Sequence, residues 1–407
     1  MRFSTLALAA SMLGFCSASA ELEWKTNNTT LPKVLICSAG GTILSASNYS
    51  HLDNIHYGLG KGPTALDLIE TVPEVLDVAQ LAVIQFPATG GSAGLNSSLY
   101  LNITQHLNRY LCSPDSDIVG AIMFHGTNTL EETAFGVDLT FNCSKPFIAT
   151  GAMRPDTYIS PDGRSNFFQA VAAASSPASA NRGGLIVFND RITSIYYSTK
   201  ANANTPDTFK AIEQGNLGAF LGGQPYYFYD PSYPVGRPHF NVSDTVELPS
   251  VIILYGHQGF DASLMYAAVA NGAKGLVILG PGAAALSPSA NEAAADLFAQ
   301  GIPTVAVARP VTGTGVPDLY PEAVYAPSVS ILSYIFILSF FATCIKKRTD
   351  SVVSYSIFAS YLGADQARVL LQLAINAGYD LDEIRDVFEG PLRRALYTSP
   401  ASLEYYY

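Results

Sequence analysis

The chain is short of charge, and shorter still of positive charge. Only 14% of its 407 residues are Asp, Glu, Lys or Arg, and 22 Lys and Arg stand against 33 Asp and Glu. A net charge of -11 leaves no basic surplus to neutralise phosphates, which excludes a nucleic acid as the partner. Histidines number six and cysteines five, with no Cys/His spacing of the zinc-binding kind, so neither a metal nor another cofactor is called for. In place of charge there is apolar weight. At 48% hydrophobic the chain can bury a large core, and its length favours two domains.

The first twenty residues read as an export signal. Arg2 gives the positive end, "LALAASMLGF" the apolar stretch, and Ala18, Ser19 and Ala20 a cleavage site, so the mature chain is expected to begin near Glu21. Asn27, Asn28, Asn48, Asn96, Asn102, Asn142 and Asn241 each open an N-x-[ST] triplet, the acceptor pattern for N-glycans. A secreted glycoprotein is expected, outside the cell membrane or in the cell-wall space. Cys16 leaves with the signal, Cys37 reads as a buried free thiol in an apolar strand, and Cys112 and Cys143 flank the strand-like "IVGAIMF", where they could bridge in an oxidising compartment.

Apolar strand-like runs alternate with helix-like stretches from "KVLICSA" to "GGLIVFND". That alternation predicts an α/β fold, a mainly parallel sheet covered by helices over residues 31–235. The Pro- and Tyr-rich "YYFYDPSYPVGRPHF" leads into a linker at 236–249. Alternation resumes with "SVIILYG", "GLVILG" and "TVAVA", giving a second, smaller α/β domain over 250–407.

In such sheets ligands bind beyond the carboxyl ends of the strands. Three strand-end loops rich in Gly, Ser and Thr fall there: "SAGGTILS", "QFPATGGSAGLN" and "FHGTNTLEET". Thr42, after Gly40 and Gly41, has two readings. One is a turn or helix-cap residue, the commoner role. The other is a nucleophile, which needs an exposed hydroxyl, a base and donors for an oxyanion. Asn128 and Glu131 have the spacing of a capping box, which would place the amides around Thr127 and Asn128 at the positive end of a helix.

The run of "GGTI", "HGTNTLEETAFGVDLT", "GAMRP" with "SPDGRSN", "ASANRGGLIVFND" and the C-terminal "ARVLLQLA" resembles the bacterial-type L-asparaginase family, of the secreted kind, along nearly the whole mature chain. The resemblance implies hydrolysis of L-asparagine, with weaker action on L-glutamine, by a homotetramer whose sites lie between subunits. It makes Thr42 the primary nucleophile and Tyr57 the tyrosine of a lid that closes over the substrate. Ser92, with Gly91 beside it, matches the ligand of the substrate's α-carboxylate. Thr127 and Lys200 match the second threonine and its lysine, and a Lys200 buried beside Thr127 would have the lowered pKa that proton transfer needs. The cysteine pair 112 and 143 resembles the secreted family's disulfide.

Three departures accompany the resemblance. Asn128 stands where the family has an aspartate that meets the substrate's α-ammonium, so the partner charge is missing. Ala93 and Ala285 replace residues that are often polar, and Tyr320 and Glu322 fall near the acidic position given by a neighbouring subunit. Ser328 to Ser356 is an insertion whose apolar run, followed by Lys346, Lys347 and Arg348, has the look of a short membrane span but is expected to be a loosely packed insertion or a translated intron. A catalytically weakened binding protein is the competing expectation, and Asn128 is the residue that favours it.

Overall fold

The structure is a computed structural model, and the residues it describes are 22–57, 62–87, 91–317 and 355–397. The expected leader and the apolar run after Ser328 lie outside them. Among the described residues no helix is long and apolar enough to cross a membrane.

The first sheet is built from β1 (Lys33–Ala39), β2 (Gln80–Gln85), β3 (Ile118–His125), β4 (Phe147–Thr150), β5 (Leu185–Phe188) and β6 (Arg191–Ser194). The short β7 (Thr199–Lys200) and β8 (Phe209–Lys210) pair with each other outside it, and β9 (Gly218–Leu221) and β10 (Gln224–Tyr227) close its far edge. The strand order β10-β9-β6-β5-β4-β3-β1-β2 is parallel from β2 to β5 and antiparallel beyond. The four strands β11 (Val251–Tyr255), β12 (Gly275–Gly280), β13 (Thr304–Ala308) and β14 (Ile357–Phe358) form a smaller parallel sheet in that order. The protein is therefore a two-domain α/β molecule, the larger sheet first, as the alternation predicts.

Burial on both faces explains why β1 reads as a continuous apolar run. Val34 and Ile36 enter the core layer with Phe124, Ile148 and Phe167, under α1 (Ala65–Thr71) and α4 (Gly163–Ser175). Leu35, Cys37 and Ala39 enter the opposite layer with Phe135, Phe147 and Ile103, beneath α2 (Ser97–Tyr110) and α3 (Leu130–Asp138). That second layer continues without a break into the second domain through Val277, Val305 and the helix Ala364–Asn376. Cys37 is the buried free thiol expected, its pKa pushed up to about 12 by burial. Cys112 and Cys143 are bonded, with Cα atoms 5.3 Å apart, and join the end of α2 to the loop after α3.

β1 lies between β2 and β3, so the chain leaves it on one side and returns on the other. The crevice at such a reversal, at the carboxyl ends of β1 and β3, is where open sheets take their ligands. The register pairs Ala39 with His125, so both strands end at one level. Thr42 follows the first end by three residues and Thr127 follows the second by two.

Candidate active site

Two of the loops at this crevice are built alike. Gly41 (φ 102°, ψ 179°) precedes a tight turn of helix at Thr42–Leu44, and Gly91 (φ 71°, ψ 175°) precedes another at Ser92–Gly94. Both glycines hold a conformation that only glycine adopts readily. Each thus places a hydroxyl residue, Thr42 or Ser92, at the first position of its turn, and both are buried, 7% and 5% exposed.

Gly126, directly after β3, brings the loops together. A Cβ on Gly41 would stand 2.6 Å from the Gly126 nitrogen, and a Cβ on Gly126 would stand 2.7 Å from Ser92 Oγ. The first contact is backbone on backbone, so no side chain larger than hydrogen fits between the β1 and β3 loops. Thr42 and Thr127, each one residue further on, flank that contact. Thr129 Oγ1 donates to the Ser92 carbonyl at 2.8 Å and ties the β2 loop to the start of α3. Beyond β4, Asp162 accepts from the Met153 and Arg154 amides, and Asn166 Nδ2 donates to the Gly151 carbonyl, which fixes the "GAMRP" turn beside Thr127.

Lys200 reaches the site from β7. Its Nζ donates to Thr127 Oγ1 at 2.9 Å and lies 3.4 Å from Asn128 Oδ1. Burial holds the Lys200 pKa below the usual lysine value, with the Glu131 carboxylate opposing that shift. Thr127 is buried and Asn128 exposed. Tyr57 pairs with Ser47 across a small loop that Asp53 pins, accepting from Ser47 Oγ at 2.6 Å and from the Ile55 and His56 amides at 3.0 Å. Residues 58–61, which follow Tyr57, lie outside the described residues, as do Tyr320 and Glu322. Ala93 and Ala285 are exposed at the ends of β2 and β12.

The expected capping box is absent. The residue before α3 is Thr129, whose hydroxyl is already committed to Ser92, and α3 carries no side-chain cap. This later start makes Glu131 the second helical residue instead of the third, too early to fold back onto Asn128. Its carboxylate accepts from the Lys200 backbone N–H at 2.5 Å. Thr127 and Asn128 therefore lie in the turn ahead of the helix, and their amides are not its free N–H groups.

Three residues at the site escape sequence reasoning. Gly126 had a signal, the small residue directly after a strand, but its two-sided contact depends on register. Thr129 had no signal, and Glu131 had only a spacing that fits a pairing with Asn128.

The sequence of the first domain matches the family model described as "Asparaginase, N-terminal" over residues 33–233, and the second matches "Glutaminase/Asparaginase C-terminal domain" over residues 250–334. Probable L-asparaginase 3 of Schizosaccharomyces pombe is 38% identical over 387 residues, 95% of this chain and 96% of that protein. L-asparaginase 2-3 of Saccharomyces cerevisiae is 38% identical over 368 residues, 89% of this chain and 91% of that protein. Among solved structures, that of a probable cytoplasmic L-asparaginase from Campylobacter jejuni overlays with a TM-score of 0.72 and 27% identity, covering 88% of this chain and 99% of the other.

The last match corrects the expectation of a secreted protein, because a solved chain with this architecture is a probable cytoplasmic L-asparaginase. Three of the seven N-x-[ST] triplets, part of that expectation, also have a local structural role. Asn28 Oδ1 accepts from the Thr30 amide, Asn96 Oδ1 from the Ser98 amide and Asn241 Oδ1 from the Ser243 amide, so the spacing that marks a glycan acceptor is here also that of an Asx turn.

Proposed function

The chain belongs to the asparaginase family, and on that premise we propose that it hydrolyses the side-chain amide of L-asparagine to L-aspartate and ammonia through an ester on Thr42. Thr42 Oγ forms a bond to the amide carbon and gives up its proton. The C–N bond breaks as the nitrogen gains a proton, and ammonia leaves. Water then cleaves the ester, freeing L-aspartate and restoring the Thr42 hydroxyl. L-Glutamine, longer by one methylene, is the weaker substrate.

The observation that carries this reading is the 2.9 Å bond from Lys200 Nζ to Thr127 Oγ1, one residue beyond the contact of Gly126 with Gly41. Burial lowers the Lys200 pKa and so makes it a readier proton acceptor than an exposed lysine, and the Thr127 hydroxyl relays to it from Thr42 or from the attacking water. Ser92 and Gly91 hold the α-carboxylate, and Asn128 Oδ1 accepts from the α-ammonium. Tyr57 closes over the bound substrate. The working unit is a homotetramer of chains divided at 31–235, 236–249 and 250–407, the second domain of one chain completing the pocket of another.

Ammonia release from L-asparagine by the purified protein, beside Thr42→Ala, tests the reading. Release that is equal in both would overturn it. A second reading, a binding protein with weakened catalysis, is favoured by Asn128 alone, because a neutral amide holds the α-ammonium less strongly than a carboxylate. Substrate binding without turnover in the wild-type protein would decide for it. Sedimentation at assay concentration tests the assembly, and a fully active monomer would refute the tetramer.

A further inference from the structure

Beneath the site, where the two domains meet, lies a buried group of charges that the reaction as described does not use. Glu131 in the first turn of α3 is 7% exposed. Its carboxylate accepts from the Lys200 backbone N–H at 2.5 Å and from the Thr199 hydroxyl. The charged groups that face it are Lys200 from β7, Asp365 from the helix Ala364–Asn376 and Glu132 from its own helix. Arg368 answers Glu132 at 2.5 Å and also acts on Asp365. The same inter-domain helix sends Gln366 Nε2 to the Ser198 carbonyl at 2.8 Å, one residue before β7.

Lys200 is thus gripped twice by one short segment. Thr127 and Asn128 receive its ammonium, and Glu131, three residues beyond Asn128, holds its backbone. We propose that Glu131 is the positioning residue for Lys200, fixing the β7 backbone against α3 so that the ammonium meets Thr127, and supplying the buried negative charge that governs how readily Lys200 gives up its proton. This inference rests on the proposed role of Lys200.

Electrostatics agrees with the geometry. Burial, and after it the Asp365 charge, pushes the Glu131 pKa up to about 7, while the Glu131 charge raises that of Lys200. Below neutral pH Glu131 is protonated and its pull on the ammonium is gone. Above it the carboxylate is charged and the ammonium is retained to higher pH. The two groups are coupled, so the protonation of one alters the other.

Competitive labelling of the folded protein with acetic anhydride, with the Lys200 peptide quantified by mass spectrometry across pH, reads the titration of Lys200 without requiring turnover. In the wild type the reactivity of Lys200 should change near neutral pH, as Glu131 ionises, and again as Lys200 itself titrates. Glu131→Gln keeps an acceptor for the backbone N–H but removes the charge. It should abolish the lower inflection and move the upper one down by about one pH unit, roughly a tenfold gain in reactivity at a fixed pH on its rising limb. Glu131→Asp, which keeps the charge, should retain both inflections.

A Glu131→Gln profile that superposes on the wild type would overturn the proposal. Should that variant fail to fold, Asp365→Asn serves instead, because removing one cause of the raised Glu131 pKa should move the lower inflection to more acidic pH, and an unmoved inflection would be equally fatal. The failure of the catalytic reading is separately visible, as unchanged ammonia release from Lys200→Met.

Discussion

Both domains carry a parallel sheet whose strands end in glycine-bearing loops, yet the loops hold very different chemistry. At the ends of β1 to β3 stand Thr42, Ser92, Thr127 and Asn128, with Lys200 reaching in at 2.9 Å. After β12 the chain runs Pro281, Gly282, Ala283, Ala284, Ala285, with Gly282 at φ 56° and no hydroxyl, amide or charge. Glycines press on backbone at both sets of strand ends, Gly41 on Gly126 in the first domain and Gly256 on Leu279 in the second, but it is at the first that several hydroxyl groups and a lysine converge. The sheet supplies position, and the side chains supply the chemistry.

Thr42→Ala breaks the comparison at its strongest point. It removes the oxygen proposed as the nucleophile, so on that reading kcat should fall roughly 10⁴-fold or more, with the denaturation midpoint nearly unchanged. The glycines come next. Gly41→Ala meets both a left-handed backbone and the Gly126 nitrogen at 2.6 Å, whereas Gly282→Ala meets nothing within 4 Å. Chemical denaturation should show a loss of about 1–3 kcal/mol for Gly282→Ala, from backbone strain alone, and a distinctly larger one for Gly41→Ala. Equal losses would mean that the contact between the loops does not matter.

Breaking the bridge between Cys112 and Cys143, 31 residues apart in sequence, with Cys112→Ser and Cys143→Ser together should cost about 3–4 kcal/mol of stability on the chain-entropy account. The ammonia-release rate at 25 °C should persist, since the bridge joins the far ends of α2 and α3. The smallest effect expected is for Asn128→Asp. A charged partner for the α-ammonium should raise kcat/KM on L-asparagine by roughly tenfold, with folding unaltered because Asn128 is exposed and caps no helix. An unchanged or lower kcat/KM in a folded variant would favour the binding-protein reading.

The strands were legible because burial on both faces writes an unbroken apolar run, as in Val34–Cys37, and the glycine turns because positive φ selects glycine. The loop positions followed from the convergence of parallel strand ends. Lys200 was different. It sits on a two-residue strand 73 residues from Thr127, in a segment with no hydrophobic period, and only resemblance singled it out. The pairing of Asn128 with Glu131 failed for a related reason. A capping box and a tertiary hydrogen bond leave the same letters at the same spacing, and the start of α3, one residue later, decides between them. The compartment was read from short motifs and is corrected by the match to a probable cytoplasmic L-asparaginase, whereas the fold was read from long patterns.

The helix Ala364–Asn376 has a consequence in the time order of synthesis. The first sheet is complete in sequence at Tyr227, but the glutamine that holds the Ser198 carbonyl, and the aspartate that faces Glu131, arrive 139 and 138 residues later. At ordinary translation speeds that interval is roughly 7–30 seconds, during which the first domain can fold on the ribosome while the strand bearing Lys200 still lacks its backing. The last support of the site to be made is therefore one near the end of the chain, which backs the β7 segment after the first domain's own contacts to Lys200 are already available.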